Sequence, residues 1–302
     1  MKKMIFLCLG LTLTTSMFSQ NTVSPRTSFN RNSFWTETLF NGGITEKWRW
    51  QMDYQYRRES DASDATNASS NLFKNAYQHV YRPWIHYQLN PNVRFSLSPL
   101  GFWETFTPAS ESGGTQKIQP EFRICPQLTL SSKIGRIAID QRYRYEYRLL
   151  GNKVANTANN EFGYTQGDDF LNSNVKNRVR YFVRATIPLG NHQKLEDNTF
   201  YITTWNEVFM SFGKNTNNDK IWDQNRTFCL LGYKPKMDLP MRFELGYGLQ
   251  YANRVSSSVS TDANGGITTE TSNKFEKNNI LQMYVIFEDV NKLFRHKAAK
   301  KQ

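Results

Sequence analysis

Between residues 47 and 57 the chain alternates without interruption. Trp48, Trp50, Met52, Tyr54 and Tyr56 form one set, and Lys47, Arg49, Gln51, Asp53, Gln55 and Arg57 the other. A period of two places the sets on opposite faces of a β-strand. Residues 137–149 repeat it, with Ile137, Ile139, Tyr143, Tyr145, Tyr147 and Leu149 against Asp140, Arg142, Arg144, Glu146 and Arg148. Residues 241–253 do so again, Met241, Phe243, Leu245, Tyr247, Leu249 and Tyr251 opposing Arg242, Glu244 and Gln250. Further strands are predicted over 33–40, 75–89, 93–106, 119–131, 176–188, 199–213, 223–234 and 275–287.

The connections alternate in length. Tight turns are expected at Asn41-Gly42-Gly43, at Asn90-Pro91-Asn92 and near 132–135, 190–197 and 235–240, whereas 59–74, 107–118, 150–175, 214–222 and 254–274 are longer polar loops. Strands in soluble proteins cluster near ~5 to 6 residues, and a tilted membrane-crossing strand needs ~9 to 11. Most of the predicted strands exceed both. A soluble barrel with its apolar face inward would alternate in the same way, so strand length and the dense charge of the polar faces decide the orientation. The expected fold is all-β, an antiparallel up-and-down transmembrane β-barrel of about 10 to 12 strands with apolar faces outward and short turns on one rim. Ten strands from 47 to 287 bring both ends to the short-turn rim. The segment 33–40 is then either an incomplete span or one of a pair with a partner among 22–30. Pro83, Pro99, Pro120 and Pro126 fall inside strands, where each removes a ladder hydrogen bond, so bulges or shorter strands are expected there.

Residues 1–19 open with Lys2 and Lys3, continue through the apolar run 4–13 and close on small and polar residues, the form of a cleaved secretory leader. No run elsewhere approaches the ~18 apolar residues of a membrane helix. The chain thus divides into a leader (1–19), a barrel (20–290) and a basic tail (291–302). A mean hydropathy of -0.65 is compatible with a barrel that turns half of each strand to lipid and carries long polar loops. The formal net charge is +12, to which Lys292, Arg295, Lys297, Lys300 and Lys301 of the tail contribute without an acid. Export makes nucleic acid a poor partner for that charge. The expected location is the outer membrane of a Gram-negative bacterium, with membrane lipid and small anions as partners; no protein partner is indicated. Cys125 falls on the polar face of its strand and Cys229 on the apolar face, so a disulfide between them is not expected. His79, His86, His192 and His296 are scattered, and no metal or cofactor motif is present.

Turning the polar faces inward collects the candidate interior residues: Arg57, Arg142, Arg144, Arg178, Arg180, Arg226 and Arg242 with Glu146, Glu207 and Glu244. Lys47, Arg49, Arg82, Arg94, Arg123, Arg148 and Arg184 join the bases, and Asp53, Glu104, Glu121 and Asp140 the acids. Basic groups outnumber acidic ones two to one on these faces. Such a surplus favours anions in a wet channel. In a narrow barrel the same groups would fill the interior as an ion-paired ladder. Glu207 and Arg226, near the outer ends of adjacent strands, are the first candidate pair.

The order of several short motifs carries a resemblance. Trp35, Lys47-Trp48, Arg57, Arg178-Val179-Arg180, Ile187-Pro188-Leu189, Trp205-Asn206-Glu207-Val208-Phe209 and Asp223-Gln224-Asn225-Arg226 together resemble the uncharacterised outer-membrane family called domain of unknown function 2490, over roughly residues 34–287. The resemblance implies a secreted β-barrel-like protein with no assigned activity and no catalytic residue to carry over. The function expected is that of an outer-membrane barrel, structural or weakly pore-forming, without enzymatic activity. Two alternatives stand beside it. An exported β protein would bind a partner or apolar ligand through its aromatic face or long loops, such as 150–175 with Phe162, Tyr164 and Phe170. A barrel-embedded lipid-modifying enzyme would need a nucleophile, a base and an orienting group; His86 with Ser96 or Ser98 is the nearest approach, without the spacing of a known motif.

Overall fold

In the computed structural model most of the alternating segments become strands longer than their sequence signals. The structure describes residues 27–65, 67–156, 174–213, 221–261 and 267–292, excluding the side chains of 255–273. The expected leader, the loop aromatics Phe162, Tyr164 and Phe170, and the tail beyond Lys292 lie outside the described residues. The strands are β1 (Thr27–Gly43), β2 (Trp48–Glu59), β3 (Asn75–Asn90), β4 (Val93–Thr107), β5 (Lys117–Ile134), β6 (Ile137–Leu150), the two-residue β7 (Val154–Ala155), β8 (Asn174–Pro188), β9 (Thr199–Phe212), β10 (Trp222–Lys234), β11 (Met241–Thr261) and β12 (Ile267–Phe287). β7 pairs only with the start of β5. The eleven long strands close into a barrel.

That odd number fixes how the barrel closes. In a meander whose successive strands are antiparallel, the first and the eleventh point the same way, so the closing pair must be parallel. β1 indeed pairs with β12 in parallel, from Thr27↔Lys274 to Phe40↔Phe287, and with β2 antiparallel. Neither expectation for 33–40 therefore holds: it is the middle of one full-length strand, and Thr27 to Asn30 continue that strand instead of forming a twelfth. The expectation that both ends meet at one rim is also corrected, because β1 begins at the long-loop rim and β12 ends at the short-turn rim.

Bulges absorb two irregular stretches. The β2–β3 register steps from Arg57↔Gln78 to Arg58↔Ala76, so Tyr77 is an extra residue and reaches the interior together with Gln78. In β4, Pro99 and Leu100 together oppose Ile124 of β5, between Ser98↔Cys125 and Gly101↔Arg123. An added residue inverts the parity of everything after it. Trp103 consequently turns inward, and Glu104, expected in the lumen, turns to the outer face opposite His79. Pro83 lies in the interrupted part of the β3–β4 pairing, Pro126 in a gap of the β5–β6 pairing, and Pro120 just beyond the first β6 partner.

The outer face is apolar in its lower half. Ile85, Leu97, Leu231, Leu245, Leu281 and Met283 are exposed on it. Aromatic pairs stand near the short-turn rim at Trp48–Tyr87, Phe40–Phe287 and Phe200–Tyr233, and towards the long-loop rim at Phe34–Phe73, Tyr145–Phe212 and Tyr251–Phe275. Polar groups on this face bond to one another: Asn206 Nδ2 donates to Thr227 Oγ1 at 2.7 Å, and Asn225 Nδ2 to Asn206 Oδ1 at 3.2 Å.

Candidate functional site

The polar faces converge on an interior cavity of about 1030 Å³. Fourteen arginines and two lysines line it, against nine aspartates and glutamates, so the basic surplus of the sequence is a property of the cavity wall. Lys47 is not part of that wall; it sits exposed in the turn before β2. Arg31, Arg254 and Glu276 are, although Arg31 precedes the strand predicted from 33 and Arg254 opens the loop predicted over 254–274.

Glu146 of β6 is the centre of the charge network. It is fully buried, accepts from Arg178 Nη2 at 2.5 Å and Arg180 Nη1 at 2.6 Å, and has Arg123 at 3.5 Å and Arg144 at 3.8 Å. Adjacent strands present these side chains at one level because Glu146 lies opposite Arg178, and Arg144 opposite Arg180. Arg180 bridges onward to Glu207 at 2.7 Å, which also accepts from Arg142 Nη2 at 2.9 Å. Arg123 and Arg148 share Glu121, at 2.6 Å and 2.5 Å. Across the barrel, Arg184 Nη2 and Tyr201 Oη both donate to Glu244 Oε1. Arg242 has only a 3.8 Å approach to Glu288, and its Nε finds no acceptor among the described residues.

The sequence reading named aromatics on outward faces and placed none of Trp35, Trp84, Trp103 and Trp205, which are buried and line the cavity. Arginines stack on them. Arg123 lies 3.9 Å from the Trp103 ring, Arg144 4.7 Å from Trp84, and Arg57 4.0 Å from Trp35. Parity could have found Trp84 and Trp205, which share their strand faces with Arg82 and Glu207; Trp103 is unreadable without the bulge.

The expected Glu207–Arg226 pair is met in register but not in contact. The two residues face each other across β9 and β10, yet the carboxylate of Glu207 is taken by Arg180 and Arg142. Arg226 instead packs 4.7 Å from the Phe209 ring and 4.9 Å from Trp35.

At the long-loop rim Arg31 joins three acids, with Glu59 at 3.0 Å, Glu111 at 2.9 Å and Glu276 at 3.1 Å. Asp61 ties the loops above it together. Its carboxylate accepts from Lys74 Nζ at 2.6 Å, Ser69 N at 2.9 Å, Asn75 Nδ2 at 3.1 Å and Ser110 Oγ at 3.1 Å. Burial alone would raise its pKa; the Lys74 ammonium and these hydrogen bonds outweigh it and hold the acid at about 2.

Among the described residues His86 makes an arrangement reminiscent of nucleophilic catalysis. Its Nδ1 is 2.8 Å from Ser96 Oγ and its Nε2 3.3 Å from Gln51 Oε1, with the Gln51 amide nitrogen bonded to Asp53. Ser96 is buried and is not among the residues that line the cavity. Cys125 is buried and Cys229 exposed, on opposite faces as expected and unbonded. Among the described residues no group of His, Cys, Asp and Glu is placed to hold a metal.

No curated protein and no solved structure matches the chain. A family model described as protein of unknown function (DUF2490) matches residues 32–261. That span runs from the sixth residue of β1 through β11 and contains most of the charge network, and on it the chain belongs to the DUF2490 family.

Proposed function

We propose that this protein is an outer-membrane β-barrel of a Gram-negative bacterium, without enzymatic activity, whose arginine-rich interior takes small anions and conducts them weakly. The observation that carries this reading is the cavity wall itself: an interior space with an excess of guanidinium groups inside a closed sheet. A low-dielectric shell around such a wall attracts anions and repels cations. The carboxylates Glu121, Glu146 and Glu207 cross-link the half of the wall nearer the long-loop rim, which supports a narrow path and a small conductance. Membrane residence is supported by the exposed aliphatic residues between aromatic pairs, and by strands longer than the ~9 to 11 residues that a tilted crossing needs.

The test is single-channel conductance of the refolded full chain in a planar bilayer across a salt gradient. Small openings with an anion-selective reversal potential are expected. A folded, inserted barrel with no current would leave a structural role, and a chain released from membranes by salt alone would sink the membrane reading.

A further inference from the structure

Among the described residues Arg57, Arg94 and Arg226 line the wall without an ion pair to a carboxylate, and two of the three share one ring. Arg57 of β2 and Arg226 of β10 both stand over the indole of Trp35, their central carbons 4.0 and 4.9 Å from its ring centroid. Arg57 donates to neutral amides, Gln78 Oε1 at 2.9 Å and Gln55 Oε1 at 2.5 Å. Arg226 Nε is buried without an acceptor, and among the described residues its guanidinium makes no ion pair. The acid opposite it in register, Glu207, already serves Arg180 and Arg142. Six other wall arginines, Arg31, Arg82, Arg123, Arg148, Arg178 and Arg180, each lie within 3.1 Å of a carboxylate.

Stacking on an indole satisfies the face of a guanidinium and leaves its N–H edge free. Arg57 spends part of that edge on Gln78 and Gln55, but its charge is unanswered by them, and two such charges held beside one ring repel one another unless something anionic lies between them. The β-bulge at Tyr77 adds a third donor here, because it turns the phenol inward against the Trp35 cluster. We propose that Arg57 and Arg226 form a clamp for a dianionic tetrahedral oxyanion of the phosphate class, with Tyr77 donating the third hydrogen bond. Two cations match two negative charges, and a tetrahedral group offers separate oxygen pairs to two forks, which a single carboxylate cannot do. The clamp rests on the reading of the interior as an anion-taking cavity and names the ligand class that this cavity takes.

The experiment is calorimetric titration of the refolded full chain in detergent micelles with inorganic phosphate in a low-salt buffer. Saturable binding of one phosphate per barrel is expected. Arg226→Gln and Tyr77→Phe should each weaken it, the first by about tenfold or more, as for one charge-assisted contact. Arg254→Gln removes the same unit of charge at the long-loop rim, where Glu276 keeps Arg31 as a partner, and should change binding by less than about twofold. Equal weakening in Arg226→Gln and Arg254→Gln would mean a diffuse field and overturn the clamp, as would the absence of saturable binding. Glycerol phosphate titrated in parallel distinguishes a phosphate ester from the free ion, and saturable binding of either supports the site. Stoichiometric binding by a barrel that carries no current keeps the clamp and removes the pore; anion-selective current without saturable binding does the reverse.

Discussion

Replacing Glu146 by glutamine should be the most damaging isosteric change in the barrel. The side chain keeps its volume and one acceptor oxygen but loses the charge that four arginines surround. Not all four are stranded. Arg123 keeps Glu121 at 2.6 Å and Arg180 keeps Glu207 at 2.7 Å, while Arg144 retains two hydrogen bonds to Gln127. Arg178 loses most, being left with Asp223 at 3.3 Å. Breaking a buried pair by removing one partner costs about 3 to 5 kcal/mol, and with one guanidinium stranded the low end, about 3 kcal/mol, is expected. Tryptophan fluorescence during urea unfolding of the refolded protein reads this directly, and at a slope of about 3 kcal/mol per molar urea the midpoint should fall by roughly 1 M. A double-mutant cycle with Arg178→Gln should return a coupling of about 1 to 3 kcal/mol. A midpoint shift under roughly 0.3 M would refute the reasoning, because the cluster would then be solvated well enough to ignore the loss of its central charge.

Three further outcomes follow from other parts of the fold. Cys229 is exposed at mid-height on the outer face of β10, so a bimane attached there in a Cys125→Ser background should emit in the blue and be quenched by spin-labelled acyl chains in vesicles; water-like emission without quenching would contradict a lipid-facing sheet. A Cβ on Gly246 would stand 2.1 Å from the Cys229 carbonyl oxygen and 2.5 Å from Leu230 Cα, so Gly246→Ala must push β10 and β11 apart; a loss of about 1 to 3 kcal/mol in the same urea assay is expected, and wild-type stability would show that the strands part freely. Asp61, held at about 2, contributes stability that is complete above the unfolded carboxyl value near ~3.9 and is lost as pH falls through its folded value, so hydrogen exchange at the Ser69 amide should remain slow at about pH 3 and accelerate near pH 2; acceleration already at about pH 4 would mean that Lys74 does not hold the carboxylate.

Much of this architecture is legible from alternation. The period of two placed Arg57, Arg142, Arg144, Arg178, Arg180, Glu207, Arg226 and Arg242 on inward faces, with Glu146 and Glu244 beneath their arginines, because a pleated strand leaves no other assignment once one of its faces is fixed. The excess of basic groups follows from the same counting. The cysteines were separable by parity for the same reason.

What alternation cannot carry is any change of phase or any choice among partners. One extra residue in β4 moved Trp103 inward and Glu104 outward, and one in β3 brought Tyr77 into the cavity; Pro99 marks the first stretch for a bulge or a shortened strand without saying which, and nothing local marks the second. The parallel closure of β1 on β12 joins residues more than two hundred positions apart, so the strand number was open until the ring was complete. Partner choice is likewise settled across the barrel. Register put Arg226 opposite Glu207, but the side chains of β6 and β8 reach that carboxylate first, and Arg226 is left on Trp35 without an acid. The sequence by itself determined which residues face inward and that bases exceed acids there, since both depend only on neighbours along a strand. The tertiary structure alone decided which bases go unpaired, because electrostatic partners in a closed barrel are chosen across its interior.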